Sequence, residues 1–171
     1  MEIRMSRVVA IVQARMGSSR FPGKVMAPLL GQPMIGQLLG RLRLARRVDA
    51  IALATSVDTS DDALAAFVKQ SGFEVVRGPV DDVLARYVTA AERLSATAIV
   101  RITGDCPLVD AQIVDEVVHG LLDRNADYAS NVEPPTFPDG LDVEAFSVEA
   151  LDRCASGELT LADREHVTLA M

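Results

Sequence analysis

The chain has 171 residues, 49% apolar and 24% charged, with a formal net charge of −7; one domain is the default at this length, with enough chain for a sizeable core. No apolar run approaches the ~18 residues of a membrane span, and the polar start, Met1 to Arg7, is followed by no signal-peptide pattern. Two cysteines, Cys106 and Cys154, cannot build a disulfide framework or a metal cluster, so the expectation is a cytoplasmic globular protein with no membrane partner.

From the N-terminus, Val8 to Val12 (VVAIV) is a short continuous apolar run, the pattern of a strand covered on both faces. Met34 to Arg46 has apolar residues at helical spacing behind Pro33. Ala50 to Ala54 reads as a second strand. Thr59 to Gln70 reads as a helix with Thr59 or Ser60 as N-cap, acids in its first turn and Gly72 ending it. Phe73 to Val76 is a third strand, Asp81 to Leu94 a helix opened by two acids, Ala98 to Ile102 a fourth strand and Asp110 to Leu122 a further helix. This alternation predicts right-handed βαβ units and a mainly parallel sheet. The pattern then changes. Tyr128 to Asn131 is a short strand, Glu133 to Gly140 a Pro-rich loop, and Leu141 to Phe146 a late, antiparallel strand; helical segments follow at Val148 to Cys154 and Leu161 to Met171.

Charge is unevenly spread. Residues 1–47 hold nine of the 17 Lys/Arg and only one acid, Glu2. A basic first third suits a polyanionic ligand, and the acidic remainder argues against nucleic acid. Arg41, Arg43, Arg46 and Arg47 read as a solvated helix face.

Open parallel sheets bind ligands beyond the carboxyl ends of their strands. The first strand leads into QARMGSSRFPGK, residues 13–24. This is not an ATPase P-loop. That motif needs four residues between its first Gly and the Gly-Lys pair, then a hydroxyl residue; here five separate Gly17 from Gly23, and Val25 follows Lys24. Pro28, Gly31 and Pro33 also prevent a long helix from starting at Lys24. There remains a long loop in which Arg15, Ser18, Ser19, Arg20 and Lys24 can wrap a triphosphate with charge-assisted bonds.

The pattern Ala14, Arg15, Ser18, Arg20, Pro22, Gly23, Lys24 resembles the signature loop of the sugar cytidylyltransferases, the CMP-KDO synthetases and acylneuraminate cytidylyltransferases among them. The resemblance is strongest to the spore coat polysaccharide biosynthesis protein F group, through QARMGSSRFPGK, VRGPVDDVLARY, RITGDCPL, DGLDVEAF and DREHVT. It implies a Rossmann-like nucleotide-diphospho-sugar transferase fold, an α/β three-layer sandwich. It also implies transfer of CMP from CTP to a keto-acid sugar with release of pyrophosphate, Mg²⁺ as cofactor, and a homodimer. Family members usually continue beyond DREHVT, so a chain lacking the usual C-terminal portion is expected. The alternatives are a nucleotide-binding remnant without turnover and a same-fold enzyme using another nucleoside triphosphate.

The resemblance also suggests roles. Arg15, Arg20 and Lys24 neutralise phosphates, with Ala14, Ser18 and Ser19 in the nucleotide loop. Asp105, in Gly104-Asp105-Cys106-Pro107, holds the metal, since charge builds on the α-phosphate and leaving group. Asp142 is the preferred second ligand, and Glu144, on the same face by period-two alternation, is its rival or an acceptor-side residue. Arg77 serves the cytosine or a phosphate, or merely pairs with Asp81 or Asp82. Asp82 and Arg86, one helical turn apart, can pair with each other. Arg164 and His166 belong to the acceptor-sugar side. Cys106, with no His or Lys near it in sequence, reads as a turn residue.

Overall fold

The computed structural model describes residues 6–18 and 21–171; Ser19 and Arg20 of the nucleotide loop lie outside the described residues. In chain order the elements are β1 (Val8–Gln13), β2 (Pro28–Leu29), β3 (Gln32–Pro33), α1 (Met34–Leu42), β4 (Ala50–Ser56), α2 (Asp62–Gln70), β5 (Glu74–Gly78), α3 (Val83–Leu94), β6 (Ala98–Thr103), α4 (Ala111–Asp123), β7 (Tyr128–Ser130), β8 (Glu144–Ser147), α5 (Val148–Ala155) and α6 (Leu161–His166). Six strands form one sheet in the order β5-β4-β1-β6-β8-β7. The first four are parallel; β8 runs antiparallel to both β6 and β7, as expected of the late strand, but it covers Glu144–Ser147 and leaves Leu141, Asp142 and Val143 of the predicted stretch outside it.

The sheet is covered on both faces, which explains the apolar run of β1. Val8, Ala10 and Val12 pack with Ile35, Leu38 and Leu39 of α1, Leu64 of α2 and Val114 of α4. Val9 and Ile11 point the other way and pack with Leu84 and Tyr87 of α3 and Leu151 of α5. Every residue from Val9 to Val12 is completely buried. The result is an α/β protein with a mixed, mainly parallel sheet between helical layers. No helix among the described residues is long and apolar enough to cross a membrane.

Several boundaries depart from expectation, and three of them have a local cause. The helix predicted through Arg46 ends at Leu42, because the Asp115 carboxylate accepts the backbone N–H of Arg46 and Arg47, at 2.9 and 2.8 Å, and draws the chain away. Neither Thr59 nor Ser60 is a cap: Asp58 caps a 3-10 turn over Thr59–Asp61 by accepting from Ser60 N at 2.8 Å, and α2 starts only at Asp62. The last helix stops at His166, where buried Val167 takes a left-handed φ of 59°.

Candidate active site

A cleft of about 720 Å³ opens over the carboxyl ends of β1 and β6, on the α3 face of the sheet. Its floor is Gln13, Arg101 and Thr103; Val80, Val83 and Arg86 line one wall, and Leu161, Glu165 and His166 another. The mouth carries Ala14, Arg15, Ser18, Lys24 and Asp105.

The nucleotide loop is anchored by a residue whose role its sequence position does not betray. Asp61 is 1% exposed. One oxygen accepts Met16 N at 2.7 Å, and the other accepts the backbone N–H and the hydroxyl of Ser56. It thus ties the β1 exit to the β4 exit. Beyond Met16 the loop closes on itself: Gly23 N donates to Met16 O at 2.9 Å, and Gly23 adopts φ 73°, a conformation glycine takes without penalty. A single 3-10 turn, Lys24–Met26, and the β2–β3 hairpin fill the stretch before α1, so the Pro/Gly spacing does prevent a long helix.

That turn directs Lys24 across the cleft. Its Nζ lies 2.9 Å from Asp105 Oδ2, with the two side chains 30% and 48% exposed. Asp105 is placed by Gly104, whose N–H donates to Gln13 O at 2.8 Å. A Cβ on Gly104 would stand 2.5 Å from Ala14 Cβ, so the close approach of the β1 and β6 exits requires glycine there. Burial pulls the Asp105 carboxyl upward, but hydrogen bonds from Lys24 and Thr103 outweigh it and hold the carboxyl below its ordinary value. Asp142 shows the opposite balance: burial, then the charges of Asp139, Glu144 and Asp105, raise it. Asp142 therefore feels Asp105, although it does not line the cleft. Among the described residues no three His, Cys, Asp or Glu side chains converge into a ready-made metal cage. Mg²⁺ needs no such cage, since it takes one or two carboxylates and completes its shell with water and substrate phosphate, and Asp105 is a carboxylate that lines the cleft.

Of the predicted site residues, Ala14, Arg15, Ser18, Lys24, Asp105 and His166 share the cleft. Arg77 does not line it. Its Nε and Nη2 donate to Ser56 O and Asp58 O at 2.8 and 2.9 Å, and its Nη1 pairs with Asp62 at 2.7 Å rather than with Asp81 or Asp82. Glu144 is 8% exposed and turned into the sheet, where it accepts from Arg101 and from Tyr128 OH. Arg164 pairs with Asp82 at 2.8 Å, which leaves Arg86 without the partner its spacing offered. Cys106 is buried and its thiol is pushed up by burial, as suits a turn residue.

Sequence reasoning gave no site role to Asp61, Gln13 or Arg101, and read Arg86 only as a partner for Asp82. Arg86 did carry a signal: it sits three residues after Val83 and four before Ala90, on the apolar stripe of α3.

The family model for Cytidylyltransferase matches residues 9–170. The chain is 33% identical to the spore coat polysaccharide biosynthesis protein SpsF of Bacillus subtilis over 96% of its own length. The first curated relatives it matches are longer, and it spans 65% and 73% of them. Among solved structures, a cytidylyltransferase from Leptospira borgpetersenii superposes with a TM-score of 0.92 at 33% identity, covering 96% of this chain and 70% of that one. A CMP:2-keto-3-deoxy-manno-octonic acid synthetase complexed with CTP gives a TM-score of 0.72 at 20% identity, covering 95% and 83%. The shared fold is that of the nucleotidyltransferases, and with the match extending from β1 past α6, this chain belongs to the cytidylyltransferase family.

Proposed function

We propose that the cleft transfers CMP from CTP to a sugar hydroxyl, with release of pyrophosphate, and that the acceptor is a keto-acid sugar destined for a surface glycan. The observation that carries this reading is the meeting of Lys24 and Asp105 across the cleft at 2.9 Å. A cation and a carboxylate in the loops that follow adjacent strands β1 and β6 suit a substrate with both phosphate charge and a bound divalent ion.

In this mechanism Arg15 and Lys24, joined by Arg20, hold the triphosphate and neutralise the charge that grows on the leaving pyrophosphate. Asp105, which lines the cleft, would hold Mg²⁺ with Asp142 as its second ligand, and the ion would supply charge stabilisation at the α-phosphate oxygens. Ser18, with Ser19, donates to phosphate oxygen. The sugar hydroxyl attacks the α-phosphorus in line and gives up its proton to water, and the bond to the β-phosphate oxygen breaks as pyrophosphate leaves; no covalent enzyme intermediate is required. His166 and Glu165, which line the cleft from α6, take the acceptor side in this reading, supported by the pairing of Arg164 with Asp82, which fixes that helix against α3. Arg77 and Glu144, held by Asp62 and Arg101, take supporting positions beside the cleft.

The test is Mg²⁺-dependent pyrophosphate release from CTP across a panel of keto-acid and neutral sugars. Release with at least one sugar supports the reading. CTP binding without release from any acceptor would make the chain a binding module, and release from another nucleoside triphosphate would change its base.

A further inference from the structure

Gln13, the last residue of β1, forms part of the cleft floor. Its backbone is fixed on both sides, paired with Ala54 of β4 and Thr103 of β6, and its carbonyl accepts Gly104 N at 2.8 Å. Its side chain is fixed as well. Oε1 accepts from Arg101 Nε at 3.1 Å and lies 3.2 Å from the Tyr87 hydroxyl. A hydroxyl gives or takes a hydrogen bond, so Tyr87 alone would let the amide turn over. Arg101 does not allow this. A guanidinium has donors only, and a reversed amide would set NH2 against N–H.

Arg101 is itself held. It pairs with Glu144, the two side chains being only 12% and 11% exposed, and Glu144 also accepts from Tyr128 OH at 2.7 Å. Gln13, Arg101, Glu144 and Tyr128 thus form one linked row across β1, β6, β8 and β7. The row has two consequences. Glu144 matches the charge of Arg101, so the pair adds no net charge to the floor. Among the described residues, every side-chain hydrogen bond of Gln13 is made through Oε1, so its NH2 is the edge left for the cleft. The floor therefore offers a neutral pair of N–H donors in one set orientation, and a ligand that uses them loses little to ordering the side chain.

Its neutrality says what this donor meets. A phosphate oxygen finds stronger, charged partners in Arg15 and Lys24 at the mouth. A sugar hydroxyl is neutral and has lone pairs to accept with, and α6, with Glu165 and His166, closes the same cleft. The attacking hydroxyl is the wrong one, because a donor there would occupy the electron pair that the reaction needs. We propose that the Gln13 NH2 holds a non-reacting hydroxyl of the sugar acceptor, and that Arg101 is the positioning residue that fixes the amide for it. The inference rests on the transfer reading and adds to it a residue that selects the acceptor.

The experiment is steady-state pyrophosphate release by the whole chain in Mg²⁺ buffer. CTP and the panel sugar that wild type uses best are varied in turn, and singly deoxygenated forms of that sugar, with the attacking hydroxyl kept, are compared. Gln13→Met removes the NH2. It should lower kcat/KM for the sugar about threefold to tenfold, the range of one neutral hydrogen bond, and leave KM for CTP unchanged. One deoxygenated sugar should lose the same factor with wild type and nothing further with Gln13→Met. Gln13→Glu, which keeps an oxygen towards Arg101 and puts a second where the NH2 stood, carries the same comparison if circular dichroism shows Gln13→Met to be unfolded. Arg101→Lys frees the amide and should also lower kcat/KM for the sugar, yet the double variant should be no worse than Gln13→Met alone. General loss of structure would not produce that coupling. If every deoxygenated sugar loses as much with the Gln13 variant as with wild type, or if KM for CTP rises alongside, the Gln13 assignment falls and the transfer reading stands. Fully additive losses in the double variant overturn the positioning role of Arg101. A wild-type chain that releases no pyrophosphate with any sugar overturns both readings.

Discussion

Lys24 and Asp105 lie 81 positions apart in sequence, yet their charged atoms meet at 2.9 Å over the junction of β1 and β6. The pair is half exposed on the carboxylate side, so it contributes little to folding: surface ion pairs are worth about 0–1 kcal/mol. Lys24→Ala and Asp105→Ala should each cut pyrophosphate release by about a hundredfold or more, with a melting temperature close to that of wild type. Retained release in either variant would remove that residue from the chemistry.

Asp61 should behave in the reverse way, as a structural residue with a functional consequence. Asp61→Ala leaves Met16 N and the Ser56 groups without their buried acceptor, for about 2–4 kcal/mol of lost stability in urea denaturation. It also frees the β1 exit, so CTP affinity should fall even where the variant is fully folded. A variant as stable as wild type would contradict the anchoring role.

Gly104→Ala places a methyl group 2.5 Å from Ala14 Cβ and 2.9 Å from Gln13 O. The strand exits must separate, at about 1–3 kcal/mol, and Asp105 moves with them. Loss of release together with a lowered melting temperature is the expected pair of effects. Gly17→Ala, with no atom of the described residues beyond its chain neighbours within 4 Å of the added methyl, should leave the melting temperature unchanged and serves as the control.

The two tyrosines provide a probe of pH. Tyr128 is pushed up to about 12, first by burial and then by the Glu144 carboxylate it bonds; Tyr87 is raised by complete burial. Both folded phenols titrate above the unfolded value of about 10. Their contribution to stability is whole below about pH 10 and is lost as pH rises through the folded values. Tyrosinate absorbance should therefore stay flat through about pH 10–11 in the native protein and appear together with unfolding. A smooth rise centred near pH 10 in folded protein would show that the Arg101–Glu144–Tyr128 network is open to water.

Much of this architecture is legible before folding. Apolar runs of strand length, helical spacing between them, and acids at helix starts are local signals, and β1, β4, β5 and β6 occur where they were expected. Asp82 and Asp110 cap α3 and α4 because a short carboxylate at that position reaches the first free N–H groups. The loop chemistry was legible too: the Gly and Pro spacing after β1 excludes a helix at Lys24, and a single 3-10 turn with a hairpin stands there instead.

Pairings were not legible where several partners stood within reach. Arg77 had Asp81 and Asp82 nearby in sequence and took Asp62; Asp82 had Arg86 one turn away and took Arg164, 82 positions on. Glu144 sat on the expected face of its strand, but Arg101 on the neighbouring strand held it in the sheet.

The sequence by itself determined the strand and helix order, the cation-rich loop after the first strand and the family to which the chain belongs, because these depend on residue spacing over a few turns of chain. Only the tertiary structure decided which charges neutralise one another and which arginines face the cleft. That outcome depends on distances across packed elements, and burial makes each unmade hydrogen bond costly enough to leave a mark.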